Sequence, residues 1–221
     1  MEAIVKILST QYITHDVKQF RLEKPEGFSF TRGQATELSV NKNEWRDKKN
    51  PFTFTSLPDT PYLEFTIKIY TDRNGVTKQL STLIPGDTLI LREPWGAIEY
   101  KGPGYFIAGG AGITPFIAIL RYLKREGLVS DNKLFFSNKT DTDIILADEL
   151  KLILGDNAHF TVTRQKDSSY DQRRIDEAFL RAEVNDLSKH FYMCGPDAMV
   201  LGLAETLQKL GAAADTLIFE K

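Results

Sequence analysis

Tyr105-Phe-Ile-Ala-Gly-Gly-Ala-Gly-Ile-Thr-Pro-Phe-Ile-Ala-Ile-Leu-Arg-Tyr-Leu123 decides how the second half of the chain is read. Tyr105 to Ala108 has strand character. Glycines follow at 109, 110 and 112, and from Thr114 to Glu126 the residues Phe116, Ile119, Leu120 and Leu123 recur on one helical face. Such a loop is either a tight strand-to-helix turn or a cradle in which backbone N–H groups and a helix N-terminus hold a pyrophosphate. Thr114 is expected to cap the helix, with Pro115 in its first position. The spacing is not G-x-G-x-x-G, so the common dinucleotide fingerprint is not met.

Strands and helices continue to alternate toward the C-terminus. A strand Lys133 to Ser137, a helix from about Asp143 to Leu154, a strand His159 to Thr163 and a short helix from Ile175 come first. A strand Phe191 to Cys194, a helix Pro196 to Leu210 and a strand Thr216 to Phe219 complete the series. That succession predicts a Rossmann-like parallel sheet with ligands at the carboxyl ends of its strands.

Toward the N-terminus the pattern is different. Leu63, Phe65, Ile67 and Ile69 alternate with outward residues, and five further runs are strand-like: Ala3 to Leu8, Lys18 to Leu22, Ala35 to Val40, Phe52 to Ser56 and Asp87 to Arg92. Turn chemistry separates them at Pro25-Glu-Gly27, Pro58-Asp59, Asn74-Gly75 and Pro85-Gly86. Six short strands without a long intervening helix predict a small antiparallel barrel. With Lys101-Gly-Pro-Gly104 as linker, the fold class is β plus α/β, a barrel over 1–100 and a nucleotide-binding domain over 101–221.

Composition narrows the functions. The 221 residues carry a formal charge of −2, from 28 basic and 30 acidic side chains, so no global field draws the molecule to nucleic acid or a membrane. One cysteine, Cys194, leaves no disulfide framework, no cysteine-ligated cluster and no cysteine-rich zinc site. His15, His159 and His190 have no metal-binding spacing and read as surface or structural, while Trp45 and Trp95 read as packing residues. No signal segment or long apolar run is present, and a soluble cytoplasmic protein is expected.

Three segments stand out in order: Asn50-Pro-Phe-Thr-Phe-Thr-Ser56, Gly109-Gly-Ala-Gly-Ile-Thr-Pro115 and Cys194-Gly-Pro-Asp-Ala-Met199. Taken alone, the first is a barrel strand with Phe52 and Phe54 on one face and Thr53 and Thr55 on the other. In the third, a lone cysteine is a small buried hydrophobe or, at a carboxyl strand end, a functional group. In combination the three resemble the flavin and nicotinamide-nucleotide motifs of the ferredoxin-NADP reductase superfamily, which includes the flavodoxin reductases. Gly86-Asp87, Glu93-Pro-Trp-Gly96 and Ile218-Phe-Glu220 fall where that family has similar residues.

The resemblance implies FAD or FMN in the barrel and NADPH or NADH on the second domain. Phe52 would pack on the isoalloxazine and Thr53 would place its hydroxyl near flavin N5. Gly75, Val76 and Thr77, with Leu80, would present backbone N–H groups to the flavin phosphate; on its own that segment also reads as a hairpin turn. Gly109, Gly110, Gly112, Ile113, Thr114 and Pro115 would hold the coenzyme pyrophosphate. Cys194, Gly195 and Pro196 would adjoin the nicotinamide, and Cys194, Thr53 and Glu220 would line the point of hydride transfer. Lys139, Arg164 and Arg174 either are ordinary surface cations or would hold the extra phosphate of NADPH.

The chain departs from the family at Asn50, where arginine usually pairs with flavin phosphate; Lys48 or Lys49 is the candidate substitute. No aromatic follows Glu220, which implies a more open nicotinamide face. The expected activity is hydride transfer from NAD(P)H to flavin, then one-electron transfer to a separate flavodoxin or ferredoxin. Arg46, Lys48 and Lys49 form either a docking patch for an acidic carrier or a solvated loop. The alternatives to this activity are reduction of free flavin or ferric chelates and a flavin-binding subunit without turnover.

Overall fold

Period-2 burial builds the first half. In strand β1 (Ala3–Tyr12) Val5 and Ile7 face inward; β2 (Val17–Glu23), β3 (Ala35–Val40) and β5 (Tyr62–Lys68) supply Phe20, Leu22, Leu38, Leu63, Phe65 and Ile67 to the same core, while β4 (Lys49–Thr53) adds only the partly buried Phe52. A short helix α1 (Val76–Ser81) precedes β6 (Thr88–Leu91). The computed structural model describes residues 2–96 and 98–219. It divides the chain into units Met1–Ala97 and Ile98–Lys221.

The strands of the first unit pair antiparallel in the order β4-β3-β6-β1-β2-β5. Past β4, Phe54 bridges Phe65 of β5, and the Thr55 N–H donates to the Glu64 carbonyl at 2.8 Å, so the sheet nearly closes into a barrel. Phe54 is fully buried and stacks on Phe30 with ring centres 4.1 Å apart. The expected strand Phe52 to Ser56 is corrected to Lys49–Thr53. The strand accommodates Pro51 because β4 is at the edge of the sheet, where a missing N–H costs no ladder bond. Trp45 packs into the core as expected, whereas the Trp95 side chain is about half exposed and only its backbone pairs, with Ala35.

The second unit alternates β7 (Gly104–Gly109), α2 (Thr114–Arg125), β8 (Lys133–Asn138), α3 (Ala147–Leu154), β9 (Ala158–Val162), α4 (Glu177–Glu183), β10 (His190–Cys194), α5 (Asp197–Leu210) and β11 (Leu217–Phe219). All five strands are parallel in the order β11-β10-β7-β8-β9. Tyr105, Ile107, Phe135, Phe191 and Met193 pack with Phe179, Leu203 and Leu207. Alternate residues pack elsewhere: Phe106 stacks on Tyr192 and meets Phe116 of α2 edge-on. The helix expected from Asp143 begins at Ala147, because the 3-10 turn Asp141–Asp143 ends in an extended Ile144 and Leu146 is left-handed, with φ +53°.

The order also locates the functional end. The chain winds outward from β7 to β8 and β9, then returns to the other side of β7 with β10 and β11. Strand order therefore reverses between β7 and β10, and the carboxyl ends of two such strands form the crevice in which open α/β sheets bind ligands. Among the described residues, no helix is long and apolar enough to cross a membrane.

Candidate functional site

Gly109–Pro115 continues β7 and Cys194–Met199 continues β10, so two of the three motifs lie side by side at the point of reversal, with Ala108 and Cys194 in register. Their contact depends on missing side chains. A Cβ on Gly112 would stand 2.2 Å from the Cys194 carbonyl oxygen, and one on Gly109 would stand 2.7 Å from Met199 Sδ and 2.9 Å from Pro196 Cδ. A Cβ on Gly195 would stand 3.1 Å from the backbone of Gly109, a looser fit. Gly110 serves another purpose: its φ is +54°, which glycine adopts without strain, and nothing lies within 4 Å of where its Cβ would be.

The helix start differs from expectation. Gly110–Ile113 forms a 3-10 turn that runs straight into α2, so Ile113 occupies the cap, Thr114 is already helical and makes no side-chain cap bond, and Pro115 follows in the second position. Within that turn the Thr114 N–H donates to the Ala111 carbonyl and Pro115 has no N–H, so the groups left to meet an anion lie in the glycine loop ahead of α2. On the other flank, Met193, Cys194, Gly195, Asp197, Val200 and Leu201 border a mainly apolar cavity of about 550 Å³, which the sequence did not announce. Glu220, expected beside Cys194, lies outside the described residues.

Lys139, Arg164 and Arg174 are exposed, and their side chains make no hydrogen bond or ion pair among the described residues. The Arg164 N–H donates to the Lys139 carbonyl at 2.9 Å, which fixes those two segments together. Arg173, unnoticed in the sequence, is fully engaged. It donates to Asp171 through Nε and Nη2 and to Glu183 Oε1 at 2.8 Å, and its guanidinium lies over the Phe179 ring. His159 Nε2 lies 2.9 Å from Asp171 Oδ2. Hydrogen bonds from Arg173 hold the Asp171 carboxyl well below the usual carboxylate range.

Farther down the sheet, the Tyr192 hydroxyl accepts from the N–H groups of Lys101 at 2.9 Å and Gly102 at 3.1 Å and donates to the Gly102 carbonyl at 2.7 Å. Burial pushes its pKa up to about 12, although the two N–H donors favour the ionised form.

In the barrel, the motif strand presents two kinds of threonine. Thr55 is buried and bonds Glu64 Oε1 and Thr66 Oγ1 at 3.1 and 3.3 Å. The half-buried Thr53 hydroxyl and the Asn50 amide make no side-chain hydrogen bond among the described residues. Phe52 packs only partly against the core. Gly75 caps α1 in extended geometry, Val76 and Thr77 are buried, and the Tyr70 N–H donates to Thr77 Oγ1 at 3.3 Å. The buried Lys18 ammonium closes the far end of this helix, donating to the carbonyls of Ser81 at 2.9 Å and Leu83 at 2.8 Å. Burial lowers its pKa, partly offset by Asp87. Lys49 is paired with Glu37 at 2.5 Å and Lys48 lies over Trp45 at 4.2 Å, so Lys49 is not a free cation.

Residues 5–100 match the family model described as an oxidoreductase FAD-binding domain, and residues 106–205 match the oxidoreductase NAD-binding domain. The chain belongs to the ferredoxin-NADP reductase superfamily. It is 24% identical to the reductase component of propane 2-monooxygenase from Rhodococcus jostii, over 98% of this chain and 62% of that one. It is 22% identical to the ferredoxin–NAD(P)+ reductase component of the naphthalene 1,2-dioxygenase system of Pseudomonas putida, over 95% and 65%. The chain thus spans somewhat less than two thirds of the length of these relatives. Its fold superposes with a TM-score of 0.85 on a ferredoxin NADP+ reductase from Neisseria gonorrhoeae with bound FAD and NADP, at 21% identity over 99% and 98% of the two chains.

The open face at Gly110 suits a coenzyme pyrophosphate, and the unengaged Thr53 and Asn50 suit a ligand on the barrel. The superfamily fold is thus matched by chemistry suited to FAD and a nicotinamide dinucleotide.

Proposed function

We propose that the chain oxidises NAD(P)H in the cytoplasm and passes the electrons through FAD to a separate ferredoxin or flavodoxin. Residues 1–100 hold the flavin and residues 101–221 the coenzyme. The observation that carries this reading is the interlock of Gly109 and Gly112 with Cys194–Pro196 at the strand-order reversal. It brings a pyrophosphate loop and a segment suited to nicotinamide into one crevice.

Bound FAD supplies the conversion of a two-electron donor into one-electron steps. The protein's own part is binding and orientation. Backbone N–H groups of the Gly109, Gly110, Gly112 and Ile113 loop receive the pyrophosphate, with the Thr114 hydroxyl and the Pro115 ring beside it at the start of α2, and Cys194, Gly195 and Pro196 shape the nicotinamide seat without a covalent step. Phe52 covers the flavin ring, Thr53 offers a hydroxyl at its edge, and Gly75, Val76 and Thr77 receive its phosphate. Asn50 contributes hydrogen bonds but no charge. Glu220 completes the catalytic set. No residue has to abstract a proton for the transfer. Lys139, Arg164 and Arg174, free of acidic partners, favour NADPH over NADH.

The test is to purify the protein, identify its released flavin and follow oxidation of NADPH and NADH with ferredoxin, flavodoxin and free flavin as acceptors. A flavoprotein spectrum with faster turnover on a protein carrier supports the reading. Failure to bind FAD overturns it, and turnover confined to free flavin overturns the carrier.

A further inference from the structure

Residues 165–176 leave the end of β9 and return to α4, carrying two adjacent arginines of opposite fate. Asp171 forms a parallel bridge with Thr161 of β9, and its carbonyl accepts from the Val162 N–H at 2.8 Å, so this segment adds one rung beyond the sheet edge. Past the bridge the chain is irregular, and the Arg173 N–H turns back to donate to Asp171 Oδ1 at 2.8 Å. Asp171 and Arg173 meet there, and Glu183 and Phe179 of α4 receive the same guanidinium. Arg174 follows the bridge by three residues, as Arg164 follows its partner Thr161.

A second tie holds the neighbouring segment. The Asp141 N–H donates to Gln165 Oε1 at 3.0 Å, Gln165 Nε2 donates to Asp141 Oδ2 at 3.1 Å, and Ser168 Oγ donates to Asp141 Oδ1 at 2.5 Å. Three exposed cations without acidic partners among the described residues, Lys139, Arg164 and Arg174, therefore sit on three segments tied together by their neighbours. Left to themselves, like charges so placed repel one another, and the ties oppose that repulsion.

We propose that the Asp171–Arg173–Glu183 strut is a positioning device for coenzyme selection: by fixing the segment after β9 it presents Arg174 beside Arg164 and Lys139 to the ribose phosphate that distinguishes NADPH from NADH. Asp171, Arg173 and Glu183 are positioning residues and do not touch the coenzyme. The inference rests on the proposed role of Arg164 and Arg174, and the experiment separates the two.

The FAD-loaded full chain is compared in four forms: parent, Arg174→Ala, Arg173→Leu and Glu183→Gln, the last retaining the Arg173–Asp171 pair in case Arg173→Leu fails to fold. KM and kcat are measured with both coenzymes, along with binding of adenosine 2′,5′-bisphosphate, whose phosphate pattern probes the site without turnover. Arg173→Leu should raise KM for NADPH and weaken the bisphosphate roughly tenfold, the loss of one well-placed charge-assisted hydrogen bond, with kcat and the NADH constants near parent values. Glu183→Gln should shift the same constants in the same direction by less. If Arg174→Ala lowers NADPH preference but neither strut variant does, the positioning role is wrong. If Arg174→Ala leaves the preference unchanged, the phosphate role of that arginine is wrong and the strut has nothing to position. Equal losses with both coenzymes in the strut variants mean a merely structural role and also overturn the proposal.

Discussion

The parallel sheet and the barrel hold their motifs by opposite means. In the sheet, the motif glycines are fixed by the protein itself: Gly112 is a glycine because the Cys194 carbonyl occupies the space of its side chain. In the barrel, the motif side chains Thr53 and Asn50 have no partner in the described protein, and Phe52 is only partly packed. A motif enforced by packing is legible from the protein's own stability, whereas one reserved for a ligand is legible only by what it leaves unused. The sharpest way to break this contrast is within one loop. Gly112→Ala should cost about 3 kcal/mol or more, because backbone has to move, and should abolish reduction of the flavin by coenzyme. Gly110→Ala, with open space around it, should cost only the left-handed strain of about 1–2 kcal/mol. Chemical denaturation of both variants decides; equal costs would remove the packing account.

The next largest effect concerns the base of the sheet. Tyr192→Phe removes an acceptor from two N–H groups and a donor from one carbonyl, a loss of about 1–3 kcal/mol. It should also change the pH dependence. The folded phenol keeps its proton up to about 12, while the unfolded one ionises near the ordinary value of about 10. Between those values the unfolded state binds fewer protons, so stability is full below the window and falls as pH rises through it. Denaturation midpoints measured through that window should slope downward in the parent and less so in Tyr192→Phe.

In the barrel the contrast becomes one between stability and function. Thr55→Ala should cost about 1–2 kcal/mol by exposing the buried Glu64 carboxylate to a lost donor, with FAD retained. Thr53→Ala should change stability by no more than about 0.5 kcal/mol, yet slow reduction of bound FAD by NADPH in stopped flow. A Thr53→Ala protein as fast as the parent would leave that hydroxyl without a role.

The same division explains what could be read in advance. Alternation in Leu63 to Ile69 and the helical face Phe116 to Leu123 are local patterns of a packed core, and both elements are present. Adjacency of β7 and β10 is a long-range fact that no local pattern carries, so the meeting of the Gly109 and Cys194 motifs came from the resemblance and not from periodicity. The cap expected at Thr114 is absent because a 3-10 turn ahead of α2 displaces the helix start, and glycine runs do not disclose whether they turn once or coil. The strut was hidden for a plainer reason. Residues 165–176 have no period, and nothing in the sequence tells that Arg173, and not Arg174, finds Asp171 and Glu183.

The smallest expected effect tests whether the barrel's basic loop steers a carrier. Arg46 donates to Asn41 Oδ1 at 2.6 Å, Lys48 lies over Trp45, and Lys49 is paired with Glu37, so the three cations are not equivalent. Steering depends on net local charge, and the Lys49–Glu37 pair contributes little to it at a distance. Lys48→Glu should therefore slow reduction of an acidic ferredoxin or flavodoxin by a few-fold at low salt, and the difference should vanish as ionic strength rises and the screening length shrinks to about 8 to 10 Å. Lys49→Glu would place a second carboxylate beside Glu37, and its effect should be partly a loss of stability of a few tenths of a kcal/mol, about the size of a like-charge pair across strands. Reduction of the protein's own flavin by NADPH should change much less in both variants, because steering acts on the encounter with the carrier. If Lys48→Glu reduces every carrier as fast as the parent at low salt, the loop is a solvated surface with no part in docking.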